Sequence, residues 1–211
     1  MKFSKTIALA ALIGMPYAAF SDGNIVGDRS RYLDYRASIP AKILDEQTSW
    51  VEDVVERSKN SGYAFVVDKL VRRMDLYFRG VCVDSFDVSL SREEPLEAKL
   101  YEDDGGVPEG IYQIINKKDV DESSFHRALM LSFPNKRDWK NFREAKRNGI
   151  VPKGVRRPGR YIAIHGDRNE NDGDWTDGCI ALTNVDIDSL YHLIKPGTPV
   201  AIVKTYYRKQ Q

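Results

Sequence analysis

Residues 164–180 read IHGDRNENDGDWTDGCI, and this stretch decides how the rest of the chain is interpreted. An apolar run leads into His165, a polar loop follows, and the chain returns to Cys179 after a glycine. A free thiol titrates near ~8.5, so a cysteine nucleophile needs a base or a positive neighbour, and histidine is the natural partner. The pattern therefore indicates a Cys179–His165 pair in which Gly178 lets main-chain N–H groups approach an oxyanion.

Short strands and turns are predicted on both sides of this stretch. Period-two patterns predict strands at residues 63–69, 75–78, 81–86 with a run to Leu90, 111–115, 161–165 and 200–203. Helical spacing predicts helices from Pro40 to about residue 60, at 138–148 and at 186–194. Gln47 interrupts the apolar stripe of the first helix, and residues 150–160 should be loop. The predicted architecture is mainly β, with a few helices at the edges.

Composition and the first residues set limits on the class of protein. Of 211 residues, 42% are hydrophobic and 30% are charged, a composition typical of one globular domain. The formal net charge is only +1, so the protein has no overall positive charge that would attract nucleic acid. Lys2 and Lys5 precede an apolar stretch at 7–14 and small residues at 19 and 21. This pattern predicts a secretory signal peptide over residues 1–21, and hence a periplasmic protein with no membrane span after cleavage.

The two cysteines are interpreted differently. Cys82 lies in a strand-like alternation and is predicted to be a buried small hydrophobic residue, whereas Cys179 is predicted to be free. An exported protein can form disulfides, so a bond between the two cysteines stays open.

The order of motifs resembles a known family. From about residue 63 to residue 203, the sequence is similar to the L,D-transpeptidase catalytic domain, also called YkuD-like. Residues 131–135 and the helix after Asp138 resemble a branch called YafK-like. The motifs that match are Val107-Pro108-Glu109-Gly110-Ile111-Tyr112 for the substrate-side loop, His165-Gly166 with Thr176-Asp177-Gly178-Cys179 for the signature, and Pro196-Gly197-Thr198-Pro199-Val200 before the last strand.

The resemblance implies a β-sandwich or barrel over residues 63–204, after a lead-in and helix at 22–62 and before a tail at 205–211. It also implies that Cys179 attacks the carbonyl that joins the third residue of a peptidoglycan tetrapeptide stem to the terminal D-Ala. His165 would move the proton, and the Gly166 carbonyl would orient the imidazole. The resemblance requires no cofactor or metal. The implied oxyanion or substrate-binding residues are Gly178, Thr176, Asp177 and Tyr112.

Several positions depart from the family pattern and leave the acyl acceptor open. Thr176 stands in place of serine, Asp177 in place of histidine, Ala181 in place of an arginine or asparagine, and Ser91 in place of glycine. The acceptor of the thioester is an amine on another stem or on a wall-linked protein, or water. Three functions therefore compete: a transpeptidase, a carboxypeptidase or amidase on the same class of bond, and a non-catalytic wall-binding domain.

Three other segments have alternative interpretations. The loop at 167–174 has oxygen spacing like an EF-hand but lacks its glycine and its final glutamate, so calcium is not expected. The basic residues between 143 and 160 are either a solvated face or a guide for substrate carboxylates. Residues 116–135 are either a lid or a surface insertion.

Overall fold

An eight-stranded sheet organises the chain. The computed structural model describes residues 35–169 and 173–207, so the predicted signal peptide, the lead-in up to residue 34 and the last four residues lie outside the described residues. The strands are β1 Tyr63–Asp68, β2 Arg73–Phe78, β3 Val81–Asp87, β4 Glu94–Ala98, β5 Gly106–Val107, β6 Gly110–Lys118, β7 Ala128–Leu131, β8 Ala163–His165, β9 Ile180–Ala181 and β10 Pro199–Val203.

The strand order in the sheet is β3-β2-β1-β10-β6-β7-β8-β9. β1 pairs with β10, and β8 with β9, in parallel, and the other neighbours are antiparallel. The short strands β4 and β5 form a separate parallel pair. The hairpins β1–β2 and β2–β3 turn at the predicted positions, where Arg72 and Arg79 have positive φ. The predicted fold class, mainly β with peripheral helices, is confirmed.

Alternation along β1 divides the core into two layers. Phe65 and Val67 face the larger cluster, which includes Ile164 and Ile180, whereas Ala64 and Val66 face a second cluster. Helix α1, Ala41–Ser61, contributes Val51 and Val54 to that second cluster. The predicted apolar stripe of α1 therefore covers one face of the sheet. Within the two described ranges, no helix is both long and apolar enough to span a membrane.

Gln47 interrupts the stripe of α1 because it makes buried polar contacts. Its side chain is 2% exposed, its Nε2 donates to Glu109 Oε2 at 2.8 Å, and its Oε1 accepts from the backbone N–H of Lys204 at 2.8 Å. Glu109 in turn forms an ion pair with the fully buried Lys69 at 2.7 Å. One glutamine thus connects α1 to the loop before β6 and to the residue after β10.

The two other helices that the sequence predicted start two residues before their predicted first residue. Helix α2 is Lys136–Arg147, with Asn135 as its N-cap and Asp138 closing the capping box. Helix α3 is Asn184–Tyr191, with Thr183 as its N-cap accepting from the backbone of Asp186. In each case the predicted start was the acidic third position of the capped turn. Helix α3 also ends three residues earlier than predicted.

The prediction that Cys82 is buried is wrong. Cys82 is exposed on β3, and so are its neighbours Val81 and Val83. β3 is the edge of the sheet and pairs only with β2 among the described strands, so alternation in its sequence indicates a strand without indicating burial. Cys82 and Cys179 are both free thiols.

Candidate active site

His165 is the last residue of β8, and Cys179 immediately precedes β9, which pairs with β8. β8 and β9 run parallel, with Ile164 opposite Ile180 and His165 opposite Ala181. Ile164 and Ile180 are fully buried in the core. Because side chains alternate along a strand, those of Cys179 and His165 fall on the opposite face. The structure therefore brings the two predicted catalytic residues to one face of neighbouring strands.

Residues 88–92 hold the nucleophile segment on its other side. Ser89 and Ala181 exchange two backbone hydrogen bonds, at 3.0 and 2.9 Å. The Leu90 carbonyl accepts from the N–H groups of Trp175 and Thr176, each at 2.9 Å. The run predicted to extend to Leu90 therefore lies along the loop that carries Cys179, and β9 has hydrogen-bonded neighbours on both sides.

The thiol of Cys179 faces a carbonyl rather than the imidazole. Its Sγ lies 3.7 Å from the carbonyl oxygen of Tyr161, and between Cys179 and His165, both described, no hydrogen bond forms. Burial raises the pKa of Cys179, while a hydrogen bond from the Ala163 backbone and the charge of Lys99 act in the opposite direction. Tyr161 adopts a positive φ of 60° and is 70% exposed, so β8 begins two residues later than predicted.

His165 has a defined tautomer and a buried ring. Its Nδ1–H donates to the carbonyl of Gly166 at 2.8 Å, which leaves Nε2 as the acceptor. The side chain is 2% exposed, and burial lowers the pKa of His165. The two pKa shifts, upward for the thiol and downward for the imidazole, favour a neutral pair in the free protein.

Two aromatic rings that the sequence reasoning missed enclose His165. Phe125 stacks on the imidazole with a centroid distance of 4.5 Å and an interplanar angle of 23°. Trp175 meets the imidazole edge-on at 5.6 Å, and its ring lies 5.9 Å from that of Phe125. Trp175 could have been suspected, because it precedes the signature. Phe125 gave no signal, since it lies forty residues from His165 in a polar segment.

The loop that carries Phe125 connects β6 to β7 and is anchored to α3. Asp188 on α3 contacts His126 Nε2 at 2.8 Å and Arg127 Nη1 at 2.9 Å, and Arg127 also binds Asp119 at 2.8 Å. Of the segment considered as a lid, residues 116–118 and 128–131 are therefore strand, and the loop at 119–127 covers His165 with Phe125.

A tight turn precedes Cys179. Gly178 has a φ of 113°, and a Cβ there would lie 2.7 Å from the Gly106 carbonyl oxygen, so only glycine fits. The buried Thr176 hydroxyl donates to the Cys179 carbonyl at 2.8 Å and accepts from the Gly178 N–H at 3.3 Å. Thr176 therefore closes the turn, and the Gly178 N–H proposed for an oxyanion is directed at Thr176 in this structure.

The other predicted site residues are more dispersed. Asp177 points into solvent and forms an ion pair with Arg92 at 2.8 Å. Tyr112 is buried, and its hydroxyl donates to Asp138 at 2.9 Å, so this hydrogen bond connects β6 to α2. Gly166 permits close packing, because a Cβ there would lie 2.5 Å from the side chain of Asn184.

Metal chemistry has no visible site in the described part of the chain. Across residues 35–169 and 173–207, no three His, Cys, Asp or Glu side chains come together in a way that could hold a metal ion. Residues 170–172 of the loop considered for calcium lie outside these ranges.

A free thiol and an oriented imidazole at one end of a β-sheet define a domain that can support cysteine-based acyl transfer. The chain belongs to the YkuD family, the L,D-transpeptidase catalytic domain, whose sequence model matches residues 62–202. This family consists of enzymes that act on peptidoglycan. The predicted family is therefore confirmed, and the assignment to a YafK-like branch stays a prediction.

Solved structures of low sequence identity resemble the chain. They include Bd1075 of Bdellovibrio bacteriovorus, with 22% identity and a TM-score of 0.49 over 68% of this chain and 48% of that one. An L,D-transpeptidase of Xylanimonas cellulosilytica has 17% identity and a TM-score of 0.45, over 67% of this chain and 60% of that one. An L,D-transpeptidase of Mycobacterium tuberculosis has 15% identity and a TM-score of 0.43, over 67% and 57%. The chain thus spans about half to three-fifths of their length, and a comparison with curated proteins gave no match.

Proposed function

We propose that this protein is an exported cysteine acyl-transferase that acts on peptidoglycan tetrapeptide stems through a thioester on Cys179. The observation that carries the proposal is the shared face of Cys179 and His165, together with the hydrogen bond from Nδ1 to the Gly166 carbonyl. That bond leaves Nε2 of His165 available to accept the thiol proton, which is what a general base for a cysteine requires.

The first half of the reaction forms the thioester. Sγ of Cys179 attacks the carbonyl carbon that joins the third stem residue to D-Ala, and Nε2 of His165 takes the thiol proton. The tetrahedral intermediate then collapses, the C–N bond breaks, and the imidazolium returns its proton to the departing D-Ala amine. Catalytic hydrogen bonds commonly tighten only when substrate is bound, so we expect Sγ to leave the Tyr161 carbonyl for the imidazole in the complex.

The second half of the reaction transfers the acyl group. An amine of a second stem or of a wall-linked protein attacks the thioester and gives a proton to His165, and the thiol is regenerated. Water in place of the amine would make the same site an L,D-carboxypeptidase or an amidase. The surroundings of His165 favour transfer to an amine over hydrolysis, because Phe125 and Trp175 keep the imidazole out of solvent.

Mass spectrometry of stem peptides tests the proposal. The purified protein is incubated with disaccharide tetrapeptides, alone and with an added D-amino acid as acceptor. Loss of D-Ala with formation of a joined dimer or an exchanged stem is expected for a transferase. Loss of D-Ala with a free tripeptide stem would reassign the protein as a hydrolase, and unchanged stems would overturn both. The variant Cys179→Ala serves as the control for contaminating activities.

Export is a separate part of the proposal and rests on residues 1–21. The expected result is a mature chain that begins after residue 21 and is found in the periplasmic fraction. N-terminal sequencing of the protein recovered by osmotic shock measures this directly. An uncleaved chain in the cytoplasmic fraction would contradict the export proposal without touching the chemistry.

A further inference from the structure

A buried lysine lies against the turn that carries Cys179. Lys99 follows β4, and its side chain is 4% exposed. A Cβ on Gly159 would lie 2.8 Å from Lys99 Cε, and a Cβ on Gly178 would lie 3.8 Å from Lys99 Cδ. The aliphatic part of Lys99 therefore passes between residue 159 and the residue immediately before the nucleophile.

The ammonium of Lys99 contacts the carboxylate of Asp104, which also accepts several backbone hydrogen bonds. Lys99 Nζ contacts Asp104 Oδ1 at 3.0 Å, and the carboxylate of Asp104 also accepts from three backbone N–H groups, those of Leu100, Tyr101 and Gly106. Burying a charge is costly unless it is paired and hydrogen-bonded, and both conditions hold for Asp104. An ammonium has three donors, and within the described residues Asp104 is the acceptor that Lys99 Nζ contacts.

The charged groups around Cys179 come from three parts of the fold. The β4–β5 loop supplies Lys99 and Asp104, the nucleophile loop supplies Asp177, and β8 supplies the neutral imidazole of His165. Asp177 is 81% exposed and is paired with Arg92, so its charge is largely screened. Lys99 is buried, where a charge acts over a longer range.

We propose that Lys99 and Asp104 form an ion pair that tunes the nucleophile. The Lys99 ammonium stabilises the Cys179 thiolate against the cost of burial, and the Asp104 carboxylate limits this stabilisation. Lys99 is a positioning residue in this scheme, because it acts through Cys179. The inference rests on the proposed function only in taking Cys179 as the nucleophile. Its consequence is a larger thiolate fraction for a half-buried thiol that lies near a neutral imidazole.

The test follows the alkylation rate of Cys179 by iodoacetamide as a function of pH. The exposed Cys82 is first replaced by Ala, so that the modified thiol is Cys179. For Lys99→Met, we expect the midpoint of the profile to rise by about one pH unit and the rate at pH 7 to fall about tenfold. For Asp104→Asn, we expect the midpoint to fall, and for Lys99→Arg, which keeps the charge, we expect it to stay near that of the parent.

An electrostatic role predicts that the midpoint shifts in opposite directions in Lys99→Met and Asp104→Asn. A merely structural role would shift the midpoint in the same direction in both variants. An unchanged profile in Lys99→Met, or shifts of equal sign, would overturn the inference. The matched control is Lys69→Met, which removes a fully buried lysine paired with Glu109 and should leave the profile unchanged. Circular dichroism melts verify that each variant is folded, and if Lys99→Met is not, the sign of the Asp104→Asn shift decides.

Alkylation needs no peptidoglycan, so this experiment fails or succeeds independently of the proposed function. A protein that does not transfer stems can still show the two opposite shifts. If the protein transfers stems but the two shifts are absent, the proposed function stands and this inference is wrong.

Discussion

Cys179 is the residue on which the proposed chemistry depends, and Cys82 provides its matched control. We expect Cys179→Ala to abolish acyl transfer and to leave the fold intact, because the thiol lies at the sheet surface beside a carbonyl rather than in the core. Cys82→Ala should keep full activity and change the free energy of unfolding by less than about 0.5 kcal/mol, as for other exposed positions. Stem-peptide turnover and urea unfolding measure the two effects. Turnover by Cys179→Ala would exclude the thioester.

His165 should set the acidic limit of activity. Burial lowers the pKa of His165, so the imidazole is neutral and able to accept a proton at neutral pH. Activity is expected to fall as the pH falls through that lowered pKa, below the ordinary value of about 6.5. His165→Gln should reduce kcat/KM about 10²-fold or more and remove this acidic limb. The measurement is the pH dependence of kcat/KM for both proteins. An acidic limb that persists in His165→Gln would mean that another group titrates.

At the scale of elements, the β6–β7 loop should control the titration of His165. Removing the ring in Phe125→Ala exposes the imidazole and should move its pKa upward, toward the ordinary value, because burial is what lowers it. The titration of the His165 ring protons by NMR measures this without any substrate. Val120→Ala, at an exposed position of the same loop, is the control and should leave the titration unchanged. If Phe125→Ala also leaves it unchanged, the stacked ring does not shield His165.

The elements show what local sequence can and cannot predict. Alternation predicted β1, β2 and β10 and helical spacing predicted α1, because each pattern depends only on residues close together in the sequence. The same alternation misplaced Cys82, since nothing in the sequence of β3 indicates that it is an edge strand. Tyr161 was predicted to be in a strand, but its φ is positive and β8 begins two residues later, at Ala163. The contact of Phe125 with His165 is long-range and left no local signal.

At the scale of the whole molecule, Gln47 is expected to hold α1 to the sheet. Gln47→Leu would remove the donor to Glu109 Oε2, while the Lys69 contact to Oε1 remains, and would leave the Lys204 N–H without an acceptor in a buried setting. Each unsatisfied group costs about 1–3 kcal/mol, so the free energy of unfolding should fall by a few kcal/mol. Urea denaturation measures this. Lys42→Leu, at an exposed position on the same helix, is the control. A variant as stable as the parent would show that these contacts contribute little.

The order of the strands in the sheet could not be predicted from the sequence. β1 and β10 come from opposite ends of the domain and pair in parallel, with Phe65 opposite Val200. β6 then pairs with β10, with Tyr112 opposite Val200, so the centre of the sheet joins residues that are 135 and 88 positions apart in the sequence. The identities of Cys179 and His165, by contrast, follow from one stretch of seventeen residues. A candidate nucleophile and base can therefore be proposed from local sequence, whereas the strand order cannot.

The two-sided hydrogen bonding of β9 has a consequence for hydrogen exchange. The amide of Ala181 is bonded to Ser89, and that of Leu182 to the His165 carbonyl, so neither can exchange by fraying at a free edge. We expect these amides to exchange only when the sheet itself opens, with protection close to that of the global unfolding reaction. The segment that bears the thiol would then keep its geometry until the whole domain unfolds. In a partly denatured sample, the fraction of these two amides that stays protected would therefore measure the fraction of native molecules.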